Sequence, residues 1–261
     1  MKLEFKKSIS NKIIYTLGVL FIFLFLLGYF LPIGIDKVKN LSYGQFFFSS
    51  YTVATEFGFL LFSFVIAYFI NKEYSNKNIL FYKLIGDNIF TFFYKKVAVL
   101  FIECLIYIIL GITIISIIYS DFSHYLLLII LFSLVILQYI LVVGTISMVS
   151  PNILISLGIS IVYWIGSVIL VAINKNIFGI VAPFEASNTM YRAVEKILNN
   201  ESTFICPTEI INTVSFFVLL FIVNTIVLLL SRKRWFRYVV HKKERHPLSL
   251  LFIMYFYNLH Q

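Results

Sequence analysis

Six stretches of the chain are almost continuously apolar, at residues 13–31, 51–70, 97–119, 125–148, 153–173 and 210–230. A helix rises 1.5 Å per residue, so about 20 apolar residues cross the ~30 Å hydrocarbon core of a bilayer. Each stretch therefore predicts a transmembrane helix. Strands of a membrane barrel alternate apolar and polar residues, and these runs do not alternate. The expected fold is an all-α integral membrane protein with six transmembrane helices.

Two of the polar connections carry patterns of their own. In the segment 71–96, Ser75 is a suitable N-cap, 76–85 predicts a short helix, and Gly86 suits the left-handed residue after it. Asp87 is then expected to cap the approach to the third span. The short helix bears Ile79, Leu80, Phe81, Leu84 and Ile85, more apolar surface than solvent exposure explains. Two readings are open: it lies on the membrane surface, or a partner protein receives it. In the segment 174–209, Met190, Ala193, Val194, Ile197 and Leu198 fall on one face and Arg192, Glu195 and Lys196 on the other, which predicts an amphipathic outer helix between spans five and six. Residues 248–259 are apolar but too short to span, and are expected in the interface or against other helices.

Composition agrees with a lipid environment: 61% of residues are hydrophobic and 13% charged, too little polar surface to coat a water-soluble globule of 261 residues. The net charge of +9 is informative through its placement. Of the 21 Lys and Arg, sixteen fall on the N-terminus, the 71–96 loop and the C-terminal tail, and the remaining five on the alternate loops. By the excess of basic residues on cytoplasmic segments, both termini and the 71–96 loop are expected in the cytoplasm. The same placement accounts for the charge without nucleic acid, since anionic inner-leaflet lipids attract a basic tail such as 231–245. The chain divides into a six-helix membrane domain, 1–231, and a basic tail, 232–261. Cys104 and Cys206 lie at different depths and are expected to be free.

Catalytic constellations are absent from the spans. His124, His241, His246 and His260 all lie outside them, so no imidazole is available for intramembrane metal ligation or a Ser/His dyad, and no phosphate-binding loop of the G-x-x-x-x-G-K-[ST] type occurs. No catalytic, metal or cofactor site is expected in this chain. Ser156, Gly158 and Ser160 read as close helix packing, and Asn212 and Asn224 as helix-helix hydrogen-bonding residues. Glu103 sits six residues into the third span, roughly 9 Å along the helix. Intramembrane carboxylates face a bundle interior or a wet cavity. Glu103 either bonds Tyr107 or a neighbouring helix as a structural tie, or joins Tyr107 and Gln138 along a transport path. Glu56 is buried if span two starts at Tyr51 and at the boundary if it starts at Phe57; it is taken as interfacial.

Glu73 after span two, the short helix behind it, and Lys95-Lys96 ahead of span three resemble permease subunits of ABC transporters of the ABC-2 exporter type. The resemblance extends to six spans, a Pro-containing turn at 150–152 after span four and a long outer segment before span six. Tyr74-Ser75-Asn76 departs from the Gly-Thr pair often found after the acidic residue in that family. The resemblance implies a bacterial cytoplasmic membrane protein in which Glu73, Ser75, Ile79, Leu80, Phe81, Leu84 and Ile85 form a coupling helix received by ABC ATPase subunits. ATP and magnesium would belong to those subunits, and a second permease copy would complete the transporter. The implied substrate is an exported amphipathic peptide, or a lipid-like or antimicrobial compound. Two other function classes remain open, a proton-coupled secondary transporter using Glu103 and a non-transporting membrane scaffold.

Overall fold

A computed structural model describes residues 1–35, 37–75, 78–150, 152–202 and 204–245. These residues form helices without any strand: α1 (Lys2–Ser10), α2 (Ile13–Gly34), α3 (Tyr43–Glu56), α4 (Gly58–Ser75), α5 (Ile79–Leu84), α6 (Ile89–Tyr119), α7 (Tyr125–Val149), α8 (Ile153–Ile173), α9 (Lys175–Phe178), α10 (Thr189–Leu198) and α11 (Pro207–Arg245). Five helices are long and apolar enough to cross a membrane, α2, α6, α7, α8 and the first part of α11; the pair α3 and α4, bent by 53° at its break, brings the number to six when counted as one broken span. The protein is a multi-pass membrane protein.

The fifth span agrees with the sequence to the residue; the others differ at their ends, for local reasons. Span two does not begin at Tyr51. Its first half, α3, starts at Tyr43 because Ser42 and Gln45 form a reciprocal capping box, and the chain turns at Phe57 before α4. Span three does not begin at Val97; α6 starts at Ile89, capped by the Asn88 side chain accepting from Thr91 N. Asp87, expected to provide that cap, instead pairs with Lys95 at 2.6 Å. The short helix keeps its place between spans two and three but shrinks to Ile79–Leu84, and Ser75 is the last residue of α4 rather than an N-cap. Gly86 follows it at φ +85, as expected. The sixth span does not end its helix at Leu230: α11 continues to Arg245 and contacts α5. Pro151, residues 76–77 and the apolar segment 248–259 lie outside the described residues.

α7 is the central helix: 67% of its apolar window is buried, against 22% for α8 and for α11, whose outward faces carry Leu154, Val162 and Leu230 at more than 70% exposure, as lipid contact requires. α2 and α3 lie close enough that a Cβ on Gly28 would fall within 2.8 Å of the Ser50 backbone, so only glycine fits there. α10 runs along α3, with Leu198 O against Gly44. Two ends result. One gathers α1, the start of α2, the end of α4, α5 and the first turns of α6, with most of the described lysines; the other gathers α9, α10 and the starts of α3, α7 and α11.

Candidate functional site

At the lysine-rich end four charges meet in the bundle. Their supports come from different elements, and the sequence explains why each is there. α1 is amphipathic through Glu4, Lys7 and Ser8, spaced i, i+3, i+4 on the face turned inward; Glu4 and Ser8 are buried. Glu73 closes the last turns of α4, and Lys96 lies two turns into α6. Lys96 is fully buried, with Nζ 2.9 Å from Glu4 Oε2, 3.5 Å from Glu73 Oε1 and donating to Phe69 O at 3.2 Å, beneath the Phe69 ring. Lys7 completes the set, donating to both Glu73 oxygens at 3.0 and 3.1 Å. Two lysines against two glutamates leave the cluster neutral, the condition under which buried charges persist.

α5 is bound into this cluster from outside. Tyr82 is buried, donates to Glu4, receives the Lys7 ammonium at 2.8 Å and packs against Phe92 of α6 at 4.7 Å between ring centres. Burial, with the Glu4 carboxylate beside it, pushes the Tyr82 hydroxyl far above the usual phenol range, so it stays a donor. Asn78 donates to Glu73 Oε2 at 2.9 Å. Thus α1, α4, α5 and α6 share one hydrogen-bonded knot.

The residues expected to couple to a partner therefore divide. Glu73 and Ile79 are buried and point into the bundle, whereas Phe81, Leu84 and Ile85 are 45%, 47% and 41% exposed, an apolar face beyond the knot. Ser75 and Leu80 lie on the backbone of α4 and α5, and α5 brings Leu80 onto the same short turn.

Of the three residues expected on a transport path, Glu103 and Gln138 are buried and Tyr107 is half-buried, and they do not form one group. Glu103 is fully buried and bonds neither Tyr107 nor a lysine: Ser8 of α1 donates to its Oε2 at 2.8 Å, and its Oε1 has no hydrogen-bond partner among the described residues. Tyr107 donates to Ile14 O at 2.9 Å. Both therefore tie α6 to the start of the chain. Gln138 is buried on α7 and shares no hydrogen bond with either among the described residues. Asn71 donates to Ser156 at 2.7 Å, joining α4 to the small-residue face of α8. Cys104 and Cys206 are free.

Sequence reasoning missed Glu4, Lys7, Ser8, Asn78 and Tyr82. The signal for the first three was present in their spacing, which continues to Asn11, the acceptor of Lys72 Nζ at 2.8 Å.

Residues 1–240 match the peptide export permease protein YydJ family. The chain is 63% identical over 237 residues to a probable peptide export permease protein YydJ of Bacillus subtilis (strain 168), an alignment covering 91% of this chain and 99% of that protein. No solved structure matches.

The knot makes a stability prediction. Lys96→Met leaves Glu4 and Glu73 facing Lys7 alone and should cost about 3–5 kcal/mol, the usual penalty for removing one partner of a buried pair. Adding Glu4→Gln restores neutrality, with Glu73 opposite Lys7, and should recover roughly 1–2 kcal/mol of that loss. Thermal denaturation of the detergent-solubilised protein reads both; a double variant less stable than the single one would contradict a shared cluster.

Proposed function

The chain belongs to the peptide export permease protein YydJ family, and on that footing we propose that it is the transmembrane subunit of an ATP-driven peptide exporter of the ABC-2 type. ATP and magnesium are held by partner ATPase subunits, and a second permease copy, identical or related, completes the path. The lysine-rich end faces the cytoplasm, because it carries most of the basic residues that stay on that side of a membrane. α5 is then the helix that an ATPase groove receives. The observation that carries this reading is the division of α5 into two faces: Phe81, Leu84 and Ile85 outward, Ile79 and Tyr82 inward. A partner gripping the outward face moves Tyr82 and Asn78, and through Glu4, Glu73 and Lys96 that displacement reaches the first three spans.

Glu73, resembling the acidic residue of the coupling segment, acts in this account as the inner anchor of α5, and Ser75 and Leu80 flank the contact. Glu103 and Tyr107 hold α6 to the first helices, so that α1 and the third span move together. Gln138, on the central helix with its Oε1 unpartnered among the described residues, is the polar group available along the peptide path. The apolar walls and few fixed charges of the spans suit an amphipathic substrate better than a strongly hydrophilic one. Chemistry is supplied by the partner, and this subunit supplies the path.

Orientation is checked by labelling single cysteines with an impermeant maleimide in intact cells. Ser123→Cys should react at once and Lys83→Cys only after permeabilisation; the reverse order would invert the assignment.

The docking role is checked by Phe81→Asp with Leu84→Asp. An unpaired carboxylate forced into an apolar groove costs several kcal/mol, and a loss of ~3 kcal/mol weakens association more than a hundredfold. Both positions are exposed, so membrane levels should match wild type while co-purification of the ATPase and peptide export are lost. A double variant that retains its ATPase and still exports would remove α5 from the mechanism.

A further inference from the structure

The end of the fifth span carries a cavity that the export reading does not use. α8 is among the least enclosed helices, with 22% of its apolar window buried, and Ile165, Ile169 and Ile173, spaced i, i+4, i+8, are 46%, 52% and 71% exposed. That stripe faces lipid, whereas Ser156, Ser160 and Ser167 lie on the buried face turned to the bundle interior. Where the apolar run stops, the chain folds back on itself. Asn174 Oδ1 accepts from the Asn176 and Ile177 amides to start α9, and the buried Asn188 side chain donates to Gly179 O and Ala182 O at 2.8 and 3.0 Å, drawing the loop ahead of α10 together. The result is a cavity of about 470 Å³, lined by the last three residues of α8 and by Asn174, Lys175, Ser187 and Arg192.

The charge of this cavity is of one sign. Only five of the 21 Lys and Arg lie away from the basic segments, and two of those five, Lys175 and Arg192, line this one cavity. Among the described residues neither forms an ion pair; the ion pairs present involve Lys7, Lys95 and Lys96. Glu185, Glu195, Glu201 and Glu209, the carboxylates of the surrounding segments, do not line it. Two of them are engaged nearby: Glu185 Oε2 accepts from Ser187 N at 2.8 Å, and Glu209 Oε2 from the Thr189 hydroxyl at 2.8 Å. A single long cation at the edge of a bilayer snorkels into water and needs no ligand. Two that share one concavity complement a phosphate, the guanidinium forking two oxygens and the ammonium adding a point charge. The Ser187 hydroxyl and the Asn174 NH2, whose amide oxygen is used by the cap, are further donors on the same wall.

We propose that Lys175 and Arg192 bind the phosphodiester headgroup of an anionic phospholipid, with Asn174 and Ser187 donating to the same group. The lipid-facing stripe of α8 names this occupant: acyl chains lying along Ile165, Ile169 and Ile173 bring a phosphate to the level of Lys175 and Arg192 without the lipid leaving its leaflet. Two cations against one phosphate leave a positive site, which accepts a headgroup without a cation of its own, such as phosphoglycerol, and repels choline. The proposal does not depend on the export reading.

The test reads lipid at this position, because the lysine-rich end attracts anionic lipid on its own account. Ile169→Trp, exposed and one turn inward of the cavity, is combined with Trp164→Phe and Trp235→Phe as the sole tryptophan of the full-length protein. In nanodiscs of mixed phosphatidylglycerol and phosphatidylcholine, one or the other carries brominated acyl chains, which quench a tryptophan that they touch. Phosphatidylglycerol should bind there about tenfold more strongly than phosphatidylcholine, and Lys175→Gln with Arg192→Gln should bring the two lipids within about twofold of each other. Lys196→Gln removes an α10 cation that does not line the cavity and should leave the preference intact. All three side chains are exposed, so membrane levels should match wild type. Equal quenching by the two lipids before substitution, a preference that survives the double substitution, or an equal loss with Lys196→Gln overturns the proposal. Equal quenching together with an acidic synthetic peptide that is bound by wild type and released by the double variant would overturn it in favour of cargo.

Discussion

A lysine ammonium at zero exposure inside a lipid-facing bundle must be met by carboxylates, and the arrangement of one whole end of this protein follows from how Lys96 meets that requirement. One counter-charge, Glu73, arrives on α4. The other, Glu4, arrives only if the first ten residues fold back as a helix against the bundle, which is what α1 does. Once Glu4 is in place it accepts from Tyr82, and Lys7, three residues further along α1, neutralises Glu73 and binds the same tyrosine. Four elements distant in sequence are thereby held by one set of charges. Removal of any member leaves a charge without its partner, so the set forms or fails as a unit.

The membrane class and five of the six expected spans are legible in the sequence because hydrocarbon thickness fixes a length of apolar residues that no other environment demands; the other expected span is the bent pair α3 and α4. Fine structure was legible where a local cap or turn residue determined it: Gly86, the α10 amphipathic face and the fifth span all stand where the residues put them. The break at Phe57 was not, since a hydropathy window sums residues and carries no angle, although the Ser42-Gln45 capping box marked an early start to that span. α1 escaped for a different reason. Its lysines were counted for orientation, and counting charge discards the spacing that sets Glu4, Lys7 and Ser8 on one face. Glu103 was singled out correctly as a buried carboxylate, but its partner, Ser8, belonged to a helix that had not been foreseen.

The knot of α1, α4, α5 and α6 and the bend between α3 and α4 handle charge differently. At the lysine-rich end every buried charge of the knot is balanced within the chain, which suits a rigid joint between α5 and the neighbouring helices. At the far end Glu56, beside the bend between α3 and α4, keeps its Oε1 without a hydrogen-bond partner among the described residues. α7 separates and supports both: its buried face packs on α3, α4, α6 and α8, and its Tyr139 caps the break.

The claim on which this account rests is that the buried charges hold α5 to the bundle. Hydrogen exchange at the amides of Ile79–Leu84, read by mass spectrometry on the full-length protein in nanodiscs, addresses it directly. Glu4→Gln removes one counter-charge of Lys96 and the charged acceptor of Tyr82 while leaving α5 itself unaltered. The account predicts exchange in α5 faster by about tenfold or more, corresponding to a loss of at least ~1.4 kcal/mol of local stability, with the core of α7 unchanged. Exchange in α5 that is indifferent to Glu4→Gln would contradict it.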